Sequence, residues 1–133
     1  MALMIVMSLP MMAANDTGVA MGLAKRILGT QAQHFVFRKT ADSHDTFTLE
    51  SNGTKIVISA NNANSMAMAL NYYLKNYCHT TISWYKDDPI ELPATLPAVS
   101  GTVTVKARLP MRFFLNYCTY GYTMPFWGWT EWE

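Results

Sequence analysis

The residue types that could carry out chemistry are few and do not fall into a recognised pattern. The three histidines, His34, His44 and His79, show no His-x-x-His spacing, and Cys78 and Cys118 show no Cys-x-x-Cys spacing. We therefore predict no metal site and no cofactor. Either cysteine could form a dyad with His79, but no motif accompanies such a dyad. The favoured interpretation is a cysteine packed in a core or a pocket wall.

Glycosidic bond hydrolysis needs two carboxyl groups on either side of the scissile bond, about 5–5.5 Å apart in retaining enzymes. The acidic residues of this chain are scattered. Asp87 and Asp88 precede a proline, and Glu131 and Glu133 lie in the last turn of the sequence. None of them forms a convincing pair, so we predict no catalytic residue within this chain.

The segment from residue 112 to residue 133, RFFLNYCTYGYTMPFWGWTEWE, places small polar groups among aromatic ones. If Phe113–Cys118 is a strand, both of its faces are apolar at the start, as in a parallel strand covered on both sides. One face then becomes small and polar at Asn116 and Cys118. The carboxyl end of a (β/α)₈-barrel strand opens into the active site, so these two positions are candidates for substrate contact. A buried asparagine beside a core cysteine fits the pattern equally well.

Four aromatic residues lie near the end of the chain: Phe126, Trp127, Trp129 and Trp132. They could either stack on a sugar or form the packed face of a helix. Their spacing favours packing. The run carries no glycine cap, proline or polar tail. We therefore expect the segment 110–133 to be the first strand and first helix of a larger, truncated barrel domain.

The elements before this segment predict a small α+β domain over residues 15–109, with antiparallel hairpins and helices on one face of a sheet. A first helix is predicted after Asp16, capped by Asp16 or Thr17 and ended by Gly29. A second is predicted over residues 65–78. Their apolar faces are formed by Val19, Leu23 and Ile27 in the first, and by Met66, Leu70, Tyr73, Leu74 and Tyr77 in the second.

Five strands are predicted, over residues 34–39, 45–50, 55–60, 80–85 and 103–107. Asn52-Gly53 lies between the second and third strands and is a strong hairpin signal. Three prolines within residues 86–101 exclude a long helix there and indicate a surface loop.

Composition narrows the classes of function. The 133 residues suit one small domain with part of a second, and the formal net charge of +1 gives no electrostatic case for nucleic acid or an anionic membrane. The apolar run over residues 1–14 resembles the core of a signal peptide, with cleavage near Ala14, and is too short for a membrane anchor. We expect export to the periplasm or exterior of a bacterial cell, without stable membrane insertion.

Three blocks of sequence resemble one enzyme family. LNYYLKNYCHTTISWY over Leu70–Tyr85, LPATLP over Leu92–Pro97 and the aromatic tail are similar to the α-N-acetylglucosaminidases, glycoside hydrolase family 89. The resemblance implies a small domain like the accessory domain of β-hexosaminidases, followed by a (β/α)₈ catalytic barrel that begins in the tail. It also implies hydrolysis of terminal α-linked N-acetylglucosamine with retention, by two glutamates that lie downstream. This chain would then be inactive alone, with its missing catalytic domain as partner and a glycan as the substrate.

The same resemblance implies roles for three residues of the tail. Asn116 would hydrogen-bond sugar hydroxyls, Cys118 would shape the pocket wall and Tyr122 would contact the sugar. Gly128 stands where the family usually has an acidic residue. The alternative from another class is a stand-alone carbohydrate-binding or scaffolding module that uses the terminal aromatic residues as a platform.

Overall fold

In the computed structural model of the chain, residues 15–83, 90–110 and 128–132 are described. The described residues form helix α1, a 3₁₀ turn, three strands, helix α2, a fourth strand and a short helix α3. In order, these are α1 Asp16–Leu28, the 3₁₀ helix Gly29–His34, β1 Phe35–Lys39, β2 Thr46–Asn52, β3 Lys55–Ala60, α2 Ala63–Asn76, β4 Val103–Lys106 and α3 Trp129–Trp132.

The sheet is mixed, with the strand order β1-β3-β2-β4. β2 is antiparallel to both β3 and β4, whereas β1 is parallel to β3. The predicted small sheet with helices is therefore confirmed. The predicted antiparallel hairpins do not describe β1, which pairs in parallel with β3 because β3 turns back from β2 and inserts between β1 and β2.

The hairpin predicted from Asn52-Gly53 joins β2 and β3. Asn52 pairs with Lys55, so the two turn residues are Gly53 and Thr54. Gly53 has φ 61°, in the left-handed region that glycine adopts without strain. Glycine with positive φ at the first turn position is the pattern of a type II′ turn, whose twist matches that of the flanking strands.

Helix α1 begins one residue earlier than predicted. The Asn15 side chain is the cap, and its Oδ1 accepts a hydrogen bond from the Gly18 N–H at 2.7 Å. The predicted caps, Asp16 and Thr17, are not the cap residue. Gly29 ends the helix as predicted, with φ 57° and its N–H donated to the Lys25 carbonyl.

The buried face of α1 also differs from the prediction. Ala20, Ala24 and Leu28 are buried, whereas Val19 is 46% exposed. Small side chains let α1 lie close to α2 and β1, so that Val19 turns outward, whereas Ile27, also on the predicted face, is partly buried against the core. The prediction was wrong for Val19 because it gave weight to large apolar side chains and not to alanine.

Helix α2 agrees with its prediction. Asn62 caps it by accepting the Ser65 N–H at Oδ1, 2.8 Å away. Met66, Leu70, Tyr73 and Leu74 are each at most 1% exposed. They pack on one face of the sheet, which contributes Phe35, Phe47, Leu49, Ile56, Ile58 and Ala60 to the same core. The other face carries polar residues such as Thr48, Ser59 and Thr104.

The strand predicted over residues 80–85 is wrong for Thr80–Ser83, which form no strand, and its remaining two residues lie outside the described ranges. His79 has φ 53°, and the Thr80 N–H donates to the Leu74 carbonyl at 3.0 Å.

The proline-containing segment contains no helix or strand over residues 90–101, as predicted. It is not a purely superficial loop, however. Val99 is 5% exposed, and Ile90, Leu92 and Leu96 pack against the core. Two hydrogen bonds fix the segment: Tyr73 Oη donates to the Pro97 carbonyl and the Val99 N–H donates to Ser51 Oγ, each at 2.7 Å.

The predicted signal peptide over residues 1–14 and the predicted strand Phe113–Cys118 lie outside the described residues. Of the predicted barrel helix, the structure describes the single turn α3, in which Trp129 is 79% exposed. Among the helices that are described, α1, α2 and α3, none has the length and apolar character needed to span a bilayer.

Candidate functional site

The three residues predicted to contact substrate, Asn116, Cys118 and Tyr122, lie outside the ranges that the structure describes. Their predicted roles therefore stay predictions. The described residues carry chemical groups of their own, and they make the contacts by which the domain holds its shape.

The histidines fall in separate elements. His34 ends the 3₁₀ helix, His44 lies in the loop before β2 next to Ser43, and His79 follows α2. Within residues 15–83, 90–110 and 128–132, no group of three or more His, Cys, Asp or Glu side chains could hold a metal ion.

Cys78 is a core thiol. It is 9% exposed, and burial raises the pKa of its thiol, although a hydrogen bond with Tyr73 acts in the opposite direction. A raised pKa keeps the sulfur protonated at neutral pH, and a neutral thiol is a poor nucleophile. The packed-cysteine interpretation fits these observations, and the alternative dyad with the exposed His79 has no activated sulfur.

An aromatic cluster surrounds Tyr73. Its ring lies edge-on to Phe35 with centroids 5.7 Å apart, and stacks on Tyr77 at 5.3 Å with planes 14° apart. Tyr73 is 0% exposed, and burial raises the pKa of its hydroxyl further above the ordinary value of 10.0. Because the ring is enclosed, this cluster cannot serve as a stacking platform for a sugar, and its role is to join β1, α2 and the segment 90–101.

Asp16 connects three elements. Its carboxylate accepts hydrogen bonds from Lys39 Nζ at the end of β1 and, at 3.1 Å, from the backbone N–H of Ala63 at the start of α2. The Lys39 hydrogen bond, followed by the Ala63 N–H, lowers the pKa of this carboxyl below its ordinary value of 3.8. The residue that the sequence suggested as a helix cap is instead a tie between α1, β1 and α2.

A second polar group joins β2 to α2. Asp45 Oδ1 accepts from Asn62 Nδ2 at 2.7 Å and from Asn61 Nδ2 at 3.4 Å, and Asn61 Oδ1 accepts the Thr46 N–H at 3.3 Å. Sequence reasoning missed both this group and the long-range role of Asp16. The one available signal was the polar pair Asn61-Asn62 directly before an amphipathic helix.

A groove of about 270 Å³ lies between α2 and the edge of the sheet. Four apolar side chains line most of it, and three polar residues, one just before β2 and two in the first turn of α2, complete its wall: Phe47, Met68, Val105 and Ala107, with Asp45, Asn64 and Ser65. Its single carboxylate, Asp45, already accepts hydrogen bonds from two amides. Acid–base hydrolysis of a glycoside needs a second carboxyl group, so the groove has the lining of a packing or docking surface and lacks a catalytic pair.

Known proteins resemble this chain in sequence and in fold. The family model of the α-N-acetylglucosaminidase (NAGLU) N-terminal domain matches residues 19–98. An α-N-acetylglucosaminidase of Homo sapiens is 30% identical over 90 residues, which cover 67% of this chain and 12% of that protein.

The solved structures that are similar include two complexes of a family 89 glycoside hydrolase from Clostridium perfringens. The complex with 2-acetamido-1,2-dideoxynojirmycin has a TM-score of 0.78 at 32% identity, covering 88% of this chain and 14% of the other. The complex with the substrate GlcNAc-α-1,4-galactose has a TM-score of 0.75 at 33% identity, with the same coverage. The chain therefore spans about one eighth to one seventh of the length of these relatives.

Proposed function

This chain belongs to the family of α-N-acetylglucosaminidase N-terminal domains, and on that premise we propose that it serves as the accessory domain of a glycoside hydrolase acting on terminal α-linked N-acetylglucosamine. The observation that carries the proposal is the agreement in fold with a family 89 enzyme over 88% of this chain. At 32% identity, the likeness extends to sequence as well as to architecture.

The contacts of the domain support a role in scaffolding. The Asp16 tie, the Asp45 group and the Tyr73–Pro97 hydrogen bond each join elements that are distant in sequence. In the groove beside α2, Asp45 is the one carboxylate of the lining. We therefore assign chemistry on the glycosidic bond to a catalytic barrel beyond this domain, in which two glutamates act with retention of configuration.

The proposal extends to the organisation of the chain. Residues 15–109 form the accessory domain and residues 110–133 begin the barrel, where Asn116, Cys118 and Tyr122 contribute to the sugar pocket. The apolar residues 1–14 direct export. Support for the tail comes from its resemblance to the family, and support for the export signal comes from the hydropathy of the run.

The direct test is release of N-acetylglucosamine from a chromogenic α-N-acetylglucosaminide. The purified chain is expected to release none above the buffer rate, and the family 89 enzyme of Clostridium perfringens, assayed beside it, provides the positive control. Measurable turnover by the purified chain, abolished by heat, would contradict the assignment of the chemistry to another domain.

A second candidate is favoured by one observation, the 79% exposure of Trp129. An exposed tryptophan can stack on a sugar ring, as a carbohydrate-binding module requires. Titration with N-acetylglucosamine, followed by tryptophan fluorescence, separates the two. Saturable quenching that disappears in Trp129→Ala supports the binding module, and no quenching supports the accessory domain.

A further inference from the structure

We propose that Asn52 is a site of spontaneous deamidation in the folded protein, proceeding through a succinimide formed with Gly53. Asn52-Gly53 is the one Asn-Gly pair in the sequence, and it lies at the β2–β3 turn. Asparagine is among the thermally labile residue types, and glycine after it offers the least steric hindrance to ring closure.

The residues that would react lie in an exposed turn. Residues 52–55 are exposed, and nothing lies within 4 Å of the point where a Gly53 side chain would begin. Among the described residues, neither the Asn52 side-chain amide nor the Gly53 N–H has a hydrogen-bond partner. The electrophile and the nucleophile are therefore both free, and they are adjacent in the chain.

Other asparagines are held in ways that oppose the reaction. Asn61 and Asn62 donate their side-chain amides to Asp45. In Asn64-Ser65, the backbone N–H that would have to attack is donated to Asn62 Oδ1 at 2.8 Å. Asn15 accepts the Gly18 N–H as the cap of α1. The structure thus sets Asn52 apart from these four by its partners as well as by the residue that follows it, and Asn71, which is exposed on α2, is followed by tyrosine and not by glycine.

The reaction balances with water as its only co-reactant. The Gly53 backbone nitrogen loses its proton to solvent base and attacks Asn52 Cγ. The new C–N bond closes a five-membered imide, while the Cγ–Nδ2 bond breaks and ammonia leaves with a proton from solvent. Water then opens the imide at one of its two carbonyls, which yields aspartate or isoaspartate, and no group is oxidised or reduced.

The two products affect the hairpin differently. Aspartate places a carboxylate opposite Lys55, its partner in the antiparallel register, and an opposite-charge cross-strand pair is favourable. Isoaspartate adds a methylene to the main chain at the last pair of the ladder, which shifts the register that this two-residue turn fixes. Deamidation therefore produces an aspartate form with an intact hairpin and an isoaspartate form with a disturbed hairpin.

Digestion with trypsin places Asn52 in a different peptide from the asparagines that follow β3 and those in α2, so its deamidation can be measured separately. Cleavage after Lys39 and Lys55 gives a peptide of residues 40–55 whose single asparagine is Asn52. The peptide of residues 56–75 carries Asn61, Asn62, Asn64 and Asn71 and is an internal control. The native protein is incubated at mildly alkaline pH and 37 °C, and aliquots are digested and analysed by mass spectrometry beside a freshly purified sample.

We expect peptide 40–55 to gain the mass that replaces an amide with an acid, to split into aspartate and isoaspartate forms on chromatography, and to convert faster at higher pH. Peptide 56–75 should stay unchanged. Asn52→Gln, which retains an amide but disfavours ring closure, should abolish the shift. Conversion in urea-unfolded protein but not in native protein, or equal conversion of both peptides, would overturn the proposal.

Discussion

Tyr73 Oη donates a hydrogen bond of 2.7 Å to the carbonyl oxygen of Pro97, which joins the last turn of α2 to residues 90–101, a segment without helix or strand. Tyr73 is 0% exposed, so water cannot replace this hydrogen bond without a cost in free energy. We regard this contact as the main polar anchor of residues 90–101.

Tyr73→Phe should therefore lower the free energy of unfolding by about 1–2 kcal/mol, because it leaves a partly buried carbonyl without its donor. Urea titration measures the change. Tyr77→Phe is the matched control. Its ring stacks on Tyr73, but its hydroxyl has no hydrogen-bond partner among the described residues, so its effect should stay within about 0.5 kcal/mol. If the two substitutions lower the free energy of unfolding equally, the hydrogen bond from Tyr73 does not anchor the segment.

Ala24→Leu should destabilise the domain by about 1–3 kcal/mol, because Ala24 is 0% exposed and α1 lies close to α2 there. Val19→Leu on the same helix is the control. Val19 is 46% exposed, and its replacement should change stability by less than about 0.5 kcal/mol. A larger destabilisation by Val19→Leu than by Ala24→Leu would contradict this and would support the buried face predicted from Val19, Leu23 and Ile27.

The Asp16 tie predicts a pH dependence of defined sign. Its folded-state pKa is lowered from 3.8, so the carboxylate stabilises the fold above that value, and the contribution is lost as pH falls through the lowered pKa. Asp16→Asn should be less stable than the wild type near neutral pH, and the difference should vanish in acid. Lys39→Met should raise the Asp16 pKa toward 3.8, as followed by carboxyl NMR shifts. An Asp16 pKa that does not respond to Lys39→Met would contradict the ion pair.

His79 occupies the left-handed region at φ 53°, a conformation that costs roughly 1–2 kcal/mol for a residue with a Cβ. We therefore expect His79→Gly to have a higher melting temperature than the wild type, and His79→Val to have a lower one. Differential scanning calorimetry at one pH gives the order. If His79→Val melts at or above the temperature of His79→Gly, the turn after α2 does not require this conformation.

The sequence predicts best where large apolar residues repeat. Met66, Leu70 and Tyr73 define the face of α2 by their period alone, and Gly53 marks the hairpin because a tight turn needs positive φ. The buried face of α1 could not be predicted in this way. Ala20 and Ala24 are buried, but alanine is only weakly hydrophobic and so does not stand out in a hydrophobic pattern.

Contacts that depend on tertiary structure could not be predicted. Parallel pairing of β1 with β3 joins segments separated by β2, and local sequence patterns do not encode it. Asp16 accepts a hydrogen bond from Ala63, 47 residues away, which no local pattern indicates. The predicted substrate contacts at Asn116, Cys118 and Tyr122 came from the family resemblance, since the residue pattern alone allowed a buried asparagine equally well.

The central claim, that this chain is an accessory domain on which a glycosidase depends, is tested most directly by domain exchange. In the Clostridium perfringens family 89 enzyme, the region similar to residues 15–109 of this chain is deleted, replaced by those residues, or restored with the enzyme's own domain. Hydrolysis of GlcNAc-α-1,4-galactose is measured for all three. We predict that deletion abolishes activity and that this chain recovers a substantial part of what the native domain restores. Full activity of the deletion variant would contradict the account, as would a folded chimera no more active than the deletion.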